Sequence, residues 1–185
     1  FRRVLFRSDL LRRAGVVDAD WLDVVLHHHE RLDGSGYPEG LQGDALSRPA
    51  RLLAIADTYS AMIRPRPYRD AVLARLALRD IFLARGETID PELAQSFIRE
   101  MGVYPPGAVV RVASGEICVV VRRSAGGSPA EVKCIIGRNG QPHSHPGRCG
   151  GGHPEHAITE MLPLARFRSL TRYAAELWAP LPEYS

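Results

Sequence analysis

The spacing of the apolar residues changes near Val103, and this change limits the folds that are open to the chain. Upstream, apolar residues recur three and four positions apart in four segments separated by turn-rich links. Residues at that spacing share one face of an α-helix, so four helices are predicted. Downstream, valine- and isoleucine-rich runs flank the turn Ser114-Gly115, which is typical of a β-hairpin. The sequence predicts a mainly α chain, with a small β-rich extension over residues 103–185.

Capping and breaking residues set the predicted boundaries. Helices are expected over 18–32, 47–64, 70–85 and 90–101, since Asp18 or Asp20 can cap the first and Ser47 the second, while Pro65 and Gly102 end helices. Strands are expected over 109–113, 116–121 and 130–136. A loop is expected over 137–156, because this segment is rich in glycine, proline and histidine. The ligand-type residues in it match no standard zinc-finger spacing. A last helix is expected from about Leu162 to Trp178.

The excess basic charge lies at the start of the chain. Of 24 Lys and Arg residues, Arg2, Arg3 and Arg7 fall in the first eight positions; without them, basic and acidic residues balance at 21 each. The octapeptide FRRVLFRS resembles a translated sequencing adapter, so residues 1–8 are expected to be an artefact. A short basic strand or helix start is the alternative. The balanced remainder argues against nucleic acid or an anionic membrane as a partner.

Three further features concern the compartment. No apolar run approaches the roughly 18 residues that a membrane-spanning helix needs. The N-terminus shows no secretory pattern, and three cysteines are an odd number. Unpaired thiols and a cytoplasmic location are therefore expected.

Histidines cluster at the end of the first predicted helix. His27, His28 and His29 precede Glu30 and a glycine-rich segment, and Asp57 lies within the next helix. Two imidazoles with a carboxylate suit zinc, iron or manganese. A solvated helix end, whose histidines interact with the helix dipole, fits the spacing equally well. The spacing alone leaves both readings open.

Longer motifs favour the metal. The string HHERLDGSGYPEGL (residues 28–41), then RLLAIADTYSAM and RPYRDA, resemble in order the signature of the HD-GYP family. This family is a branch of the HD superfamily of metal-dependent phosphohydrolases, and its usual substrate is the bacterial messenger cyclic di-GMP. The resemblance runs from Trp21 to Gly102. It implies that residues 9–102 are the C-terminal half of a helical HD-superfamily bundle, truncated at its N-terminus.

The resemblance also implies roles for particular residues. The implied metal ligands are His28, His29 and Asp57. The implied substrate-binding residues are Gly36, Tyr37, Arg66 and Arg69, and two arginines suit phosphate because a guanidinium pairs with its oxygens in a bidentate manner. Glu30 and Asp33 lie in the same motif; a role in ordering the histidines from outside the metal shell and simple solvation at the helix end fit them equally well. Residues 33–47 carry the Gly-Tyr-Pro string and are called the GYP loop below.

The implied chemistry is hydrolysis of a phosphodiester by two or three divalent transition metals, with iron or manganese favoured. The family's His-Asp dyad, an upstream glutamate and a further histidine should precede Trp21, and none of them is present. Three ligands cannot complete a dinuclear site. The chain as given is therefore expected to be an inactive part of a bacterial cyclic di-GMP phosphodiesterase.

A second hypothesis belongs to another class of protein. The chain would be a degenerate HD-GYP module that binds a nucleotide, or signalling proteins of the GGDEF type, through the GYP loop without turnover. An intact His-Asp dyad upstream would favour the enzyme, and its loss would favour the binding module.

Overall fold

The computed structural model describes residues 2–64, 71–124, 129–149, 153–163, 166–167 and 173–178. The chain divides into two compact units. The first comprises residues 1–62 and 76–100, and the second comprises residues 63–75 and 101–185. Each unit is described below by itself.

Helices dominate the first part of the chain. They are α1 (Arg2–Arg13), α2 (Ala19–His27), α3 (Arg48–Ile63), α4 (Ala74–Leu83) and α5 (Pro91–Met101), with a short 3-10 helix at Gly43–Ala45. The four helices predicted after residue 18 are thus present, in the predicted order. Residues 2–13 form a further helix.

The start of α2 was predicted correctly and its end was not. The Asp18 side chain accepts a hydrogen bond from the Trp21 amide (2.9 Å) and so caps the helix. The helix ends at His27, five residues before the predicted Leu32, because the chain there tightens into a turn that the Glu30 amide closes on the His27 carbonyl (2.9 Å). This early end turns residues 28–31 towards the GYP loop.

Helix α3 packs through a narrow apolar stripe. Ser47 accepts a hydrogen bond from the Ala50 amide (3.3 Å), as predicted for the cap. Ile55 and Tyr59 are buried, and the Tyr59 ring meets Phe97 of α5 edge-on at 5.5 Å. Burial also raises the pKa of Tyr59 to about 12. This packing holds α3 in place, so that the rest of its surface can serve the site.

An ion pair joins α3 to the start of α5. Arg51 lies 2.8 Å from Asp90, and the other carboxylate oxygen of Asp90 accepts the Leu93 amide (3.0 Å) as the cap of α5. The third predicted helix differs at its start: residues 71–73 are not helical and α4 begins at Ala74.

The second unit contains an antiparallel sheet. Within the described residues it has five strands in the order β4-β3-β2-β1-β5. The strands are β1 (Val109–Val112), β2 (Ile117–Arg122), β3 (Glu131–Ile136), β4 (Pro142–Cys149) and β5 (Ile158–Leu162), followed by the short helix α6 (Ala174–Leu177). The three predicted strands are confirmed. Because five strands accompany the helices, the expectation of a mainly α chain is not confirmed.

The predicted loop over 137–156 is wrong in its central part. Residues 142–149 form β4, whose backbone pairs with β3 in the register Lys133↔Arg148 and Cys134↔Gly147. Strand β4 lies at the edge of the sheet, where prolines such as Pro142 and Pro146 are tolerated because one side of the backbone needs no partner. The last predicted helix is also wrong at its start, since residues 158–162 form β5; residues 164–165 and 168–172 lie outside the described residues.

The cysteines differ from the expectation of unpaired thiols. Cys134 is disulfide-bonded, whereas Cys118 is a thiol outside any disulfide, with no exposed surface. Burial, with a smaller contribution from Glu116, raises the pKa of Cys118 to about 12.

In the part of the chain that the structure describes, no helix has the length and hydropathy needed to cross a bilayer.

Cys118 is expected to resist thiol reagents while the protein is folded. Reaction requires the thiolate, and burial both suppresses ionisation and blocks access. At mildly alkaline pH, alkylation followed by peptide mass spectrometry should find Cys118 unmodified in buffer and fully modified in denaturant. Rapid labelling of Cys118 under native conditions would contradict the buried position of this strand.

Candidate functional site

The GYP loop folds back onto the residues that precede it. The Tyr37 amide donates to the His29 carbonyl (3.3 Å), and the Tyr37-Pro38 peptide bond is cis. At Gly36, an added Cβ atom would lie 2.6 Å from the carbonyl carbon of Glu30 and closer still to its Cα atom. Only glycine fits at this position, because the crowding atoms are backbone and cannot rotate away.

A cavity of about 590 Å³ lies between this loop and helices α3 and α4. His28, His29, Gly36 and Tyr37 line one side of it, and Asp57 of α3 lines another. With Glu30, which also lines it, the structure thus brings six of the predicted site residues to one cavity. Asp57 lies 20 or more positions after the other residues in the sequence. The fold, and not the local sequence, therefore brings these side chains together.

The two predicted histidine ligands differ in their surroundings. His28 is buried, and its Nδ1 atom lies 2.9 Å from the carbonyl oxygen of Val25. A carbonyl oxygen only accepts, so Nδ1 donates and the neutral ring keeps Nε2 as its free nitrogen. The His28 and His29 ring centroids are 4.3 Å apart. The pair offers two nitrogen donors at one edge of the cavity.

The surroundings of His29 lower its pKa. Burial lowers the pKa of His29 below its usual value of 6.5, and His28 lowers it further, whereas Asp57 acts in the opposite direction. Its ring stacks on Tyr37, with centroids 5.0 Å apart and planes 20° from parallel. A neutral imidazole is the form that binds a metal ion.

The donors do not by themselves complete a metal site. Among the described residues, no three His, Cys, Asp or Glu side chains come together in a group that could hold a metal ion. His28, His29 and Asp57 have suitable chemistry and share a cavity, but they do not converge on one point. This part of the chain therefore lacks the full ligand set that the resemblance implies.

Residues 9–93 match the HD domain family. The match confirms the resemblance seen in residues 28–41 and agrees with the helical character of the first unit. The HD domain segment contains every site residue predicted from the motifs.

Curated relatives match the same region. A cyclic di-GMP phosphodiesterase of Pseudomonas aeruginosa is 42% identical over 107 residues, which is 58% of this chain and 26% of that protein. A cyclic di-GMP phosphodiesterase response regulator of Xanthomonas campestris is 42% identical over 76 residues, or 41% and 20% of the two chains. A 3'3'-cGAMP-specific phosphodiesterase of Vibrio cholerae is 59% identical over 46 residues, or 25% and 11%. The chain spans about a quarter or less of the length of these relatives.

Glu30 and Asp33 accept hydrogen bonds from residues of the GYP loop. Asp33 accepts hydrogen bonds from the amide and the hydroxyl of Ser35 (3.0 and 2.7 Å), and these bonds lower the pKa of Asp33. Glu30 accepts from the amides of Glu39 and Gly40. Both carboxylates thus shape the loop.

His27 has a structural position in the HD domain. Its Nδ1 atom lies 2.7 Å from Asp23, and the other oxygen of Asp23 accepts from the Ser47 hydroxyl at the start of α3. His27 therefore ties the end of α2 to the start of α3. It does not line the cavity described above.

Two predicted phosphate-binding residues, Arg66 and Arg69, lie outside the described residues. Conversely, the structure adds cavity residues that sequence reasoning missed, namely Arg31, Thr58 and Asp80. Thr58 follows Asp57 directly on α3, so its place near the site could have been found from that adjacency. Asp80 carried no such signal, because it sits in a charged stripe of α4 that resembles a solvated face.

Proposed function

We propose that residues 9–102 are the C-terminal half of an HD-GYP phosphodiesterase domain that hydrolyses a cyclic dinucleotide. One observation carries the proposal: the two motif histidines, the aspartate of the next motif and the GYP loop all line a single cavity of about 590 Å³. A solvated helix end would leave the histidines in water. Instead His28 is buried and His29 is partly desolvated, which supports a binding role.

The proposed roles follow from the chemistry of each group. His28, His29 and Asp57 supply three donors of a site for divalent transition metals, with iron or manganese favoured by the imidazoles. The remaining donors come from a segment that contains the His-Asp dyad. Gly36 and Tyr37 form the wall against which the substrate lies, and Arg66 and Arg69 hold its phosphates.

Cyclic di-GMP is the proposed substrate. Two of the three relatives described above are named as phosphodiesterases of that nucleotide, and the third as specific for 3'3'-cGAMP. Both nucleotides carry two anionic phosphates, so Arg66 and Arg69 serve either of them. The base preference is therefore a question for direct competition between the two nucleotides.

A chimera tests the proposed function. The catalytic-domain segment that precedes the aligned region of the Pseudomonas aeruginosa relative would be joined to residues 9–185 of this chain. We expect the 185-residue chain alone to show no hydrolysis with manganese or iron, since its described residues hold no three-donor group. The chimera should hydrolyse cyclic di-GMP, measured by chromatography of the linear product.

The relative's own intact domain is the positive control, and the chimera's folding is checked by circular dichroism. A folded chimera without activity, beside an active control, contradicts the enzyme proposal. Hydrolysis by the 185-residue chain alone contradicts the proposal that further donors are needed.

The lack of a three-donor group also favours a second candidate, a binding module without turnover. Tyr37 at the tip of the GYP loop is 39% exposed, which leaves a surface that a GGDEF-type or other signalling protein could contact. A folded but inactive chimera that still binds cyclic di-GMP or such a protein would support this candidate.

A further inference from the structure

A buried carboxylate lies just before the GYP loop in the sequence. Glu30 is 4% exposed, and its Oε1 atom accepts two backbone hydrogen bonds, from Glu39 at 2.6 Å and from Gly40 at 3.1 Å. Its Oε2 atom is buried without a hydrogen-bond partner. Burying a carboxylate costs free energy unless hydrogen bonds compensate for the lost water. The two amide hydrogen bonds therefore stabilise the buried position of Glu30.

These bonds close the loop on itself. The carboxylate of Glu30 holds the backbone of residues 39 and 40, so the eight residues 31–38 form a ring closed by these hydrogen bonds. The two bonds from residues 39 and 40 to Glu30 are called the neck of the loop below. Within this ring Gly36 presses against the backbone of Glu30, and Tyr37 stacks on His29. The position of the Tyr37 ring therefore depends on the neck staying closed.

Both donors at the neck are backbone amides. A side-chain partner can turn to another rotamer when its acceptor is lost, but a backbone amide moves only with the chain. Loss of the carboxylate would leave the Glu39 amide to seek water, and the segment from Tyr37 to Gly40 would move with it. Bonds between a carboxylate and amides are also among the stronger hydrogen bonds in proteins.

We propose that Glu30 is a positioning residue: its carboxylate holds the neck of the GYP loop and thereby keeps the Tyr37 ring against His29. Glu30 acts through the loop and needs no contact with the reacting atoms. The part of this inference that concerns nucleotide binding rests on the proposed function. The part that concerns the loop does not.

Amide hydrogen exchange in the 185-residue chain tests the neck directly. In Glu30→Ala, exchange at the Glu39 and Gly40 amides should accelerate roughly 10- to 100-fold, which is the range for losing a hydrogen bond to a charged group. Glu30→Gln keeps one acceptor oxygen, so it should restore most of the protection. The nuclear magnetic resonance signals of the Tyr37 ring should shift in Glu30→Ala as the stack on His29 opens, and return in Glu30→Gln.

Glu39→Gln is the matched control. It changes a carboxylate in the same loop, 56% exposed, and leaves the backbone amide of residue 39 in place. Protection at the neck should stay at the wild-type level. If Glu30→Ala fails to fold, Glu30→Asp keeps the charge but is too short to reach the amides, and it should give the same local acceleration.

Unchanged exchange at residues 39 and 40 in Glu30→Ala and Glu30→Asp would overturn the proposal. So would equal acceleration across helices α3 and α5 without rescue by Glu30→Gln, since that pattern marks a general loss of stability. Calorimetric binding of cyclic di-GMP to the same samples should weaken at least 10-fold in Glu30→Ala. If the wild-type chain binds none, the part of this inference that concerns nucleotide binding by this chain fails, while the exchange result still decides the role of Glu30 in the loop.

Discussion

Replacing Gly36 with alanine is expected to open the GYP loop and to abolish detectable binding of cyclic di-GMP. The new Cβ atom would lie 2.6 Å from the carbonyl carbon of Glu30, and no side chain can rotate to relieve that overlap. Overpacking of this kind costs about 1–3 kcal/mol, which the loop can avoid only by moving away from residues 30 and 31. Urea unfolding followed by circular dichroism measures the stability of the helical unit, and calorimetry measures binding.

Gly147→Ala provides the control for this prediction. Gly147 lies in strand β4, where an added Cβ atom meets nothing within 4 Å and the backbone does not require glycine. The same chemical change should therefore leave stability and binding within experimental error. Wild-type binding by Gly36→Ala would show that the close approach of the loop to Glu30 is not needed for the site.

Much of the helical unit could be predicted because its signals are local. Asp18 and Ser47 cap helices through contacts within three residues, and glycines or prolines mark where helices stop. The end of α2 could not be predicted in this way. Its periodicity continues to Leu32, but the carboxylate of Glu30 is satisfied by amides nine and ten residues away, and that long-range pairing ends the helix early.

In the sheet, too, only the strands with a local sequence signal could be predicted. Strands β1 to β3 are runs rich in valine and isoleucine that are buried at most positions, and they were predicted within one or two residues. Strand β4 carries prolines, glycine and histidines that favour a loop, and it is a strand because the edge of β3 offers it a partner. Pairing across the sheet, which one sequence does not display, decides the structure of such a segment.

The candidate site was predictable in its residue types and not in its contacts. Motif resemblance named His28, His29 and Asp57, and the structure places all three on one cavity. The motif leaves the role of Glu30 open between the histidines and solvent, and its observed hydrogen bonds go to the loop backbone. A motif records which residues occur together, but it does not specify which atoms meet.

The second large effect is expected from Asp57→Asn in the active chimera. Asparagine keeps the shape of the side chain but loses the charge that a divalent metal requires from this donor. Loss of even an outer-shell partner of a metal costs about 10- to 100-fold, so loss of a direct donor should lower hydrolysis of cyclic di-GMP by more than ~100-fold. Initial rates at saturating substrate, with metal content measured on the same samples, test this expectation.

The stability of the chimera should change little, because Asp57 is exposed on α3 and exposed substitutions usually fall within about 0.5 kcal/mol. Asp20→Asn, an exposed carboxylate in the first turn of α2 and away from the cavity, is the matched control and should keep both activity and metal content. Full activity in Asp57→Asn would remove Asp57 from the donor set. Loss of activity with undiminished metal content would instead place Asp57 beside the substrate, because the metal site would then be intact while the step that needs the carboxylate is lost.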